Sequence, residues 1–217
     1  MICLDILKKI KDWDFTNKDS SITLNLDYTE LSVISDIVDR KIWFVGEVDE
    51  SIIETVVYNI LRYNSLDKGK PIEERQPIIL YISSPEGSVY DGLALCSAIQ
   101  TSITPVYTVN VGECCSMGLI IYLSGQKRYC MPNSIFLMHE GYVGAADVST
   151  KAKDRIDFDA GTLAEHLKKL ILSKTKLTKK QHEEKYRQEW YFLPDTAVKY
   201  GFADYIIGKD CELEDIL

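Results

Sequence analysis

The stretch GECCSMG, residues 112–118, places three side chains with nucleophilic atoms next to one another: Cys114, Cys115 and Ser116. A thiol or hydroxyl attacks efficiently only when a neighbouring base removes its proton. His139, which follows the apolar run SIFLM, is a candidate for that base. The chemistry of these residues leaves three hypotheses: a thiol enzyme, a serine enzyme, or a packed domain without a reaction at this point.

The elements around these residues alternate between strand-like and helix-like segments from about residue 39 onward, which predicts an α/β fold with a parallel sheet. The apolar runs PIILYIS (77–83) and PVYTVNV (105–111) are typical of buried strands. Each is followed by a turn and an apolar helix. The second turn is predicted to be GECC, and its helix to begin at Ser116. We therefore expect repeated strand-turn-helix units.

The position of Ser116 allows two interpretations. In the first turn of a helix, free backbone N–H groups and the helix dipole can stabilise an oxyanion, yet serine there also caps helices. If the two strands are neighbours, Gly87 in the turn SPEG lies beside Ser116, and the N–H groups of Gly87 and Met117 can point at one site. His139 is then a base at the strand end, or alternatively a satisfied core residue.

Four motifs, in this order, resemble the proteolytic subunits of Clp proteases: SSPEGSVYDG, GECCSMG, MPNSIFLMHEG and LPDTAVKYGFADYII. The resemblance covers about residues 39–208 and is weakest before residue 39. It implies a ClpP/crotonase-like fold in one domain over residues 1–217. Within that domain, residues 1–38 are a divergent N-terminal segment, and about 141–175 form the handle region with a protruding handle helix.

The function implied by this resemblance is that of a serine endopeptidase, a hydrolase that cleaves unfolded proteins or peptides within a self-compartmentalising oligomer. By the same resemblance, Ser116 is the nucleophile and His139 the base. The oxyanion hole is formed by the backbone of Gly87 and Met117.

The acid of the triad is where the sequence departs from the family pattern. The family has an aspartate, whereas the aligned residue here is Glu189, with Asp195 as the alternative if the alignment shifts. Glutamate is one methylene longer and can still accept a hydrogen bond from the imidazole N–H. A second departure is Glu86, whose carboxylate would repel an oxyanion near Gly87 unless it faces solvent.

Substrate binding is predicted at GYVGAA, residues 141–146. The resemblance implies that an extended peptide pairs there with a strand that includes Gly141, Tyr142, Val143 and Gly144. Pairing through backbone groups involves few contacts with the side chains of the peptide, so we expect broad cleavage specificity. The alternative interpretation of this segment is a flexible loop. The amphipathic segment after it, residues 149–174, is the predicted handle that meets an opposite ring.

The partners implied by the resemblance are further copies of the chain, in a heptameric ring or stacked rings, and a separate AAA+ ATPase. No GxxxxGK phosphate loop occurs, so an ATPase activity would have to come from another protein. No cofactor and no metal are expected, because the six cysteines form no CxxC pair and lack a histidine at ligand spacing. His166 and His182 are predicted to be solvated surface residues.

The composition sets the broad class of protein. Of the 217 residues, 46% are hydrophobic and 27% charged, as in ordinary globular domains. A formal net charge of -8 disfavours nucleic acid as a partner, because binding to phosphates needs clustered lysine and arginine. No run approaches the ~18 apolar residues of a membrane span, and the N-terminus does not resemble a signal peptide. We therefore predict a cytoplasmic protein with no membrane association.

Two other functions remain open from the sequence. A non-catalytic ring subunit would keep the fold and lose activity through the substitutions at Glu86 and Glu189, although it would have no need of Ser116 and His139. An acyl-CoA enzyme of the crotonase class would also stabilise an oxyanion with backbone N–H groups, but it would have an acidic or basic residue at the position of Ser116.

Overall fold

The structure is a computed structural model that describes residues 28–142 and 148–216. Two compact units are distinguished, divided between Lys41 and Ile42. The first contains helix α1, Tyr28–Val38. The second contains the sheet and all further helices, and it is the unit that carries the predicted site. The extent of a single domain over 1–217 stays a prediction.

The strands of the described chain form one sheet, in the order β1-β2-β3-β4-β7, with β5 and β6 branching from β3. Pairing is parallel for β2–β3, β3–β4, β3–β5 and β4–β7, and antiparallel for β5–β6. The strands are β1 (Lys41–Val45), β2 (Ile78–Ser84), β3 (Val106–Cys115), β4 (Lys127–Cys130), β5 (Ile135–Met138), β6 (Trp190–Phe192) and β7 (Tyr205–Ile206).

Helices connect the parallel strands, as the alternating sequence pattern predicts. They are α2 (Tyr58–Leu66), entered through a π-helical turn at Ile53–Val57, α3 (Val89–Thr101), α4 (Met117–Leu123), α5 (Ser149–Asp157), a π-helical segment at Phe158–Leu163, α6 (Ala164–Lys174), α7 (Lys179–Tyr186) and α8 (Pro194–Tyr200). Short 3-10 helices lie at Ile72–Glu74 and Leu213–Ile216. The predicted α/β fold with repeated strand-turn-helix units is therefore confirmed, in β2–α3 and in β3–α4.

Strand β2 shows why its sequence is a continuous apolar run. Ile78, Leu80 and Ile82 belong to one buried cluster and the alternate residues Ile79 and Tyr81 to another. Successive side chains of a strand point to opposite faces, so both faces of the sheet are covered here. The first cluster lies under the helices, on the side where α3 and α4 start.

Strand β3 is longer than the sequence predicts, and its two halves pair with different strands. Its first half pairs with β4 over Tyr107–Asn110, and its second half pairs with β5 over Glu113–Cys115. The prediction that GECC is a turn is therefore wrong. These residues find strand partners on both sides, including Cys114 opposite Ser84 of β2, and ladder hydrogen bonds outweigh their turn-like composition.

Candidate active site

Ser116 stands alone in the turn between β3 and α4. Its backbone has φ 53° and ψ -120°, a region that residues with a side chain seldom occupy. The Ser116 N–H donates to the Leu137 carbonyl of β5 at 3.0 Å, which ties the turn to the sheet. Its side chain makes no capping hydrogen bond to α4, so the helix-cap interpretation is wrong. The sharp strand-to-helix turn presents the hydroxyl, as nucleophile elbows do.

The two neighbouring thiols are held in the interior. Cys114 is fully buried, and burial raises the pKa of its thiol well above the ordinary value. Burial, and secondarily the Glu113 carboxylate, raises the pKa of the Cys115 thiol to about 12. A thiol attacks as its thiolate, which neither residue forms at neutral pH. Of the three nucleophilic side chains in GECCSMG, only the Ser116 hydroxyl suits a reaction.

His139 and Glu189 are brought together by the antiparallel pair of β5 and β6. Met138 lies opposite Trp190, so the residues just beyond each of them, His139 and Glu189, meet at the end of the ladder. The His139 Nδ1 and Glu189 Oε1 atoms are 2.9 Å apart. Since a carboxylate only accepts, Nδ1 is the nitrogen that donates to Glu189, and in a neutral imidazole Nε2 is then the nitrogen with the free lone pair.

The alternative acid, Asp195, lies elsewhere. It occupies the first turn of α8, directly after Pro194, and forms an ion pair with Lys209. The structure therefore places Glu189, and not Asp195, against the imidazole of His139. The Glu189 side chain is 63% exposed, so water screens its charge and its contact with His139 orients the ring more than it stabilises the fold.

Ser116 and His139 line one small cavity of about 30 Å³. The Nε2 atom of His139 is buried and has no hydrogen-bond partner among the described residues, Ser116 included. The basic nitrogen and the hydroxyl thus share a cavity without a direct hydrogen bond between them. Catalytic hydrogen bonds are often absent or long until substrate is bound.

Gly87 adopts a conformation that only glycine accommodates well. Its φ is +145°, and a Cβ atom at this position would clash with the backbone of Val48. A parallel bridge fixes the turn, because Val48 donates to the Glu86 carbonyl and accepts from the Ser88 N–H. In such a bridge the Gly87 N–H points away from Val48. The Glu86 side chain is exposed to solvent.

The turn at Gly87 and the start of α4 are neighbours, as the sequence analysis predicts from adjacent strands. A Cβ at Gly118 would lie 2.9 Å from the Ser84 Cβ, so α4 packs closely against the end of β2. The Met117 side chain lies directly over Gly92 of α3. Within the described chain, the N–H groups of Gly87 and Met117 have no hydrogen-bond acceptor.

The predicted substrate-binding segment is described only in part. Val143 and Gly144 lie outside the described residues. Gly141 and Tyr142 follow β5 without strand pairing, and the Tyr142 side chain is 97% exposed. The Gly141 N–H donates a weak, 3.5 Å hydrogen bond to the Tyr186 hydroxyl.

A second, larger cavity is lined by the predicted residues Gly87, Gly141 and Tyr142, and also by residues that sequence reasoning did not single out. This cavity, of about 370 Å³, lies between α3 and the helical segment 149–174 and includes Tyr186, Tyr90, Arg155 and Asp159. The Tyr90 hydroxyl and the Arg155 guanidinium both donate to Asp159, and the guanidinium lies over the Tyr90 ring at 4.4 Å. Tyr90 belongs to the motif SSPEGSVYDG, but no motif marks Arg155, Asp159 or Tyr186, because the packing of the helices alone brings them together.

The prediction that His166 and His182 are both solvated surface residues is correct for one of them and wrong for the other. His166 is exposed as predicted, but His182 is only 2% exposed. His182 lies on the inward face of α7, where its ring stacks on Tyr186 with centroids 4.9 Å apart. Neither ring nitrogen has a partner in the described structure, and burial lowers the pKa of the imidazole.

In residues 28–142 and 148–216, no three histidine, cysteine or carboxylate side chains are grouped as metal ligands. Over the same residues, no helix combines the length and the apolar character needed to span a membrane.

Comparison with known proteins places these features in a family context. Residues 28–210 match the sequence model of the family described as Clp protease. The chain is 31% identical over 185 residues to ATP-dependent Clp protease proteolytic subunit 2 from Tropheryma whipplei (strain Twist), covering 82% of this chain and 97% of that protein. A mutant ClpP1 from Listeria monocytogenes has the same fold, with a TM-score of 0.69 at 24% identity over 85% of this chain and 98% of that one.

Proposed function

The chain belongs to the Clp protease family, and on this premise we propose that it is a serine endopeptidase with Ser116 as nucleophile, His139 as base and Glu189 as the orienting acid. One observation carries the proposal. The Nδ1 atom of His139 contacts Glu189, while its Nε2 atom is buried without a hydrogen-bond partner, and Ser116 and His139 line the same cavity.

The reaction follows from this arrangement. Ser116 Oγ attacks the peptide carbonyl carbon while Nε2 of His139 takes the hydroxyl proton, and Glu189 stabilises the imidazolium. The negative oxygen of the tetrahedral intermediate is held by the N–H groups of Gly87 and Met117, and each such donor typically contributes about 10²–10³ in kcat. His139 returns its proton to the leaving amine, and a water activated by the same nitrogen then hydrolyses the acyl-enzyme.

Substrate binding completes the site. The reaction requires a rotation of the Ser116 side chain that brings its hydroxyl to Nε2, because the two residues line one cavity without a direct hydrogen bond between them. The peptide extends along residues 141–144 and pairs with their backbone. Glu86 does not oppose the oxyanion strongly, because its carboxylate is solvated.

The proposal extends to the assembly. The protein forms a homo-oligomeric ring, heptameric by family resemblance, alone or in stacked pairs. It degrades unfolded proteins that a separate AAA+ ATPase delivers, in the cytoplasm. These properties come from the family and from the absence of a phosphate loop in the sequence.

The proposed chemistry is tested by hydrolysis of an unfolded protein and of fluorogenic peptides by the purified protein. We expect Ser116→Ala to lower kcat at least about 10³-fold and Cys115→Ala, its immediate neighbour, to leave kcat nearly unchanged. Activity that persists in Ser116→Ala would contradict the proposal. A folded and assembled wild-type protein that cleaves nothing would favour the non-catalytic ring subunit instead.

A further inference from the structure

A small cavity lies beside Ser116 and His139, next to the point where a peptide would be attacked. In the proposed reaction the attacked carbonyl carbon bonds to Ser116 Oγ, and the preceding side chain is attached one atom away. Of the two cavities next to the site, the one of about 30 Å³ is lined by both Ser116 and His139, whereas the one of about 370 Å³ is lined by neither. The small cavity is therefore the one nearest to that side chain.

The cavity is small and apolar. Its volume of about 30 Å³ holds roughly one water-sized group. Its deep wall consists of side chains that are at most 8% exposed, Leu119, Ile120, Met138 and Ile171. Close-packed walls of this kind yield little without a cost in strain. The methyl group of alanine fits such a space, whereas a leucine or phenylalanine side chain does not.

Tyr186 lies at the boundary of both this cavity and the larger one of about 370 Å³. It lines both cavities, together with Val89, Gly141 and Leu167, and it has the largest side chain of the four. Two contacts hold the tyrosine in place. Its ring stacks on the buried His182, and its hydroxyl accepts from the Gly141 N–H.

We propose that Tyr186 is a specificity-determining residue, which restricts the residue on the acyl side of the cleaved bond to glycine or alanine. The inference rests on the proposed function and makes it more specific. Peptide bonds after small apolar residues are the substrate class, because the ring of Tyr186 denies larger side chains access to the space behind it. Charged side chains are excluded as well, since the deep wall offers them no partner.

The test uses fluorogenic peptides that differ only in the residue before the coumarin leaving group: alanine, leucine or phenylalanine. For the wild-type protein we expect kcat/KM to be at least about 10-fold higher for alanine than for leucine or phenylalanine. In Tyr186→Ala the two cavities merge, and we expect kcat/KM for the leucine peptide to rise about 10-fold or more. Tyr186→Phe is the matched control, which keeps the ring and therefore the alanine preference.

Two outcomes would overturn the inference and leave the proposed function standing. One is equal cleavage of the alanine and leucine peptides by the wild-type protein. The other is an unchanged alanine preference in Tyr186→Ala while Ser116 still reacts with a fluorophosphonate. If Tyr186→Ala fails to fold, Tyr186→Leu removes the ring and keeps apolar packing against His182, with the same expectation. Cleavage of none of the peptides, with Ser116 unreactive, would contradict the proposed function and the inference together.

Discussion

Ser116 keeps a backbone conformation that costs free energy for any residue with a Cβ, on the order of 1–3 kcal/mol. The surrounding structure imposes it, because the buried residues Cys115 and Met117 fix the chain on either side and Leu137 accepts from the Ser116 N–H. The hydroxyl gains no local hydrogen bond in return. A strained serine without a capping role is consistent with a function in chemistry.

At the same scale, the choice between the two acids can be tested directly. Glu189→Ala removes the acceptor that fixes the proton on Nδ1 of His139, so we expect kcat/KM to fall about 10²–10⁴-fold. Asp195→Ala is the matched control and should change kcat/KM by less than about twofold, because Asp195 contacts Lys209 and not the site. Both variants are assayed with the same peptide. Loss of activity in Asp195→Ala alone would contradict the assignment.

His182 gives a prediction on stability against pH. Burial, aided by Lys168, lowers its pKa in the folded protein, against smaller opposing effects of Glu183 and Glu165. The unfolded chain therefore takes up the proton more readily, and the free energy of unfolding falls as the pH drops below about 6.5. His182→Phe, which keeps the ring stacked on Tyr186, should reduce this fall.

The measurement is urea unfolding of wild type and variant at pH 7.5 and 5.5. His166→Gln is the control, since His166 is exposed and its removal should leave the pH dependence as it is. An identical pH dependence in wild type and His182→Phe would contradict the prediction.

At the scale of elements, the alternation of apolar runs predicts the strands and helices from residue 41 onward, because each run has the period of its element. The prediction of a turn at GECC was wrong. These residues extend β3 because they pair with β2 and β5, which come from distant parts of the chain and are not visible in the local pattern. The contact of His139 with Glu189 depends on the pairing of β5 with β6, which periodicity does not reveal. The resemblance to the family supplied that contact through an alignment. No motif or periodic pattern in the sequence singled out Tyr186.

The turn that presents Gly87 is an element whose geometry can be tested. Gly87→Ala adds a positive-φ strain of about 1–3 kcal/mol and a clash with the Val48 backbone that costs about 1–3 kcal/mol more. Gly46→Ala is a close control, because Gly46 also has a positive φ but open space around it. We expect Gly87→Ala to lower the free energy of unfolding more than Gly46→Ala, as measured by urea denaturation. Equal losses would show that the bridge to Val48 does not constrain the turn.

At the scale of the whole molecule, the surface carries large apolar side chains that an isolated protomer would leave in water. They lie on the π-helical turn before α2 and on α2 itself, and on the helical segment 149–174: Ile53, Tyr58, Leu61, Leu66, Ile156 and Phe158. Extended apolar patches on a soluble protein indicate interfaces. The proposed ring, and its stacking through the handle, would cover both groups.

This assignment gives a prediction on assembly. Replacing Ile156 and Phe158 together by glutamate puts charge into the proposed contact between rings, so we expect stacked rings to separate into single rings with half the mass. Mass photometry or sedimentation velocity measures the change. The matched control is Lys151→Glu, which alters the net charge by the same two units on the same helix without removing apolar surface. Where the wild-type protein has the mass of stacked rings, an unchanged mass in the double variant would contradict the handle assignment.

The most direct test of the account is the reactivity of Ser116 toward a fluorophosphonate, with the adduct located by peptide mass spectrometry. We predict an adduct on Ser116 that is lost in His139→Ala and absent from Cys114 and Cys115. An adduct that persists in His139→Ala, or no adduct in a protein that is folded and assembled, would contradict a working serine-histidine pair.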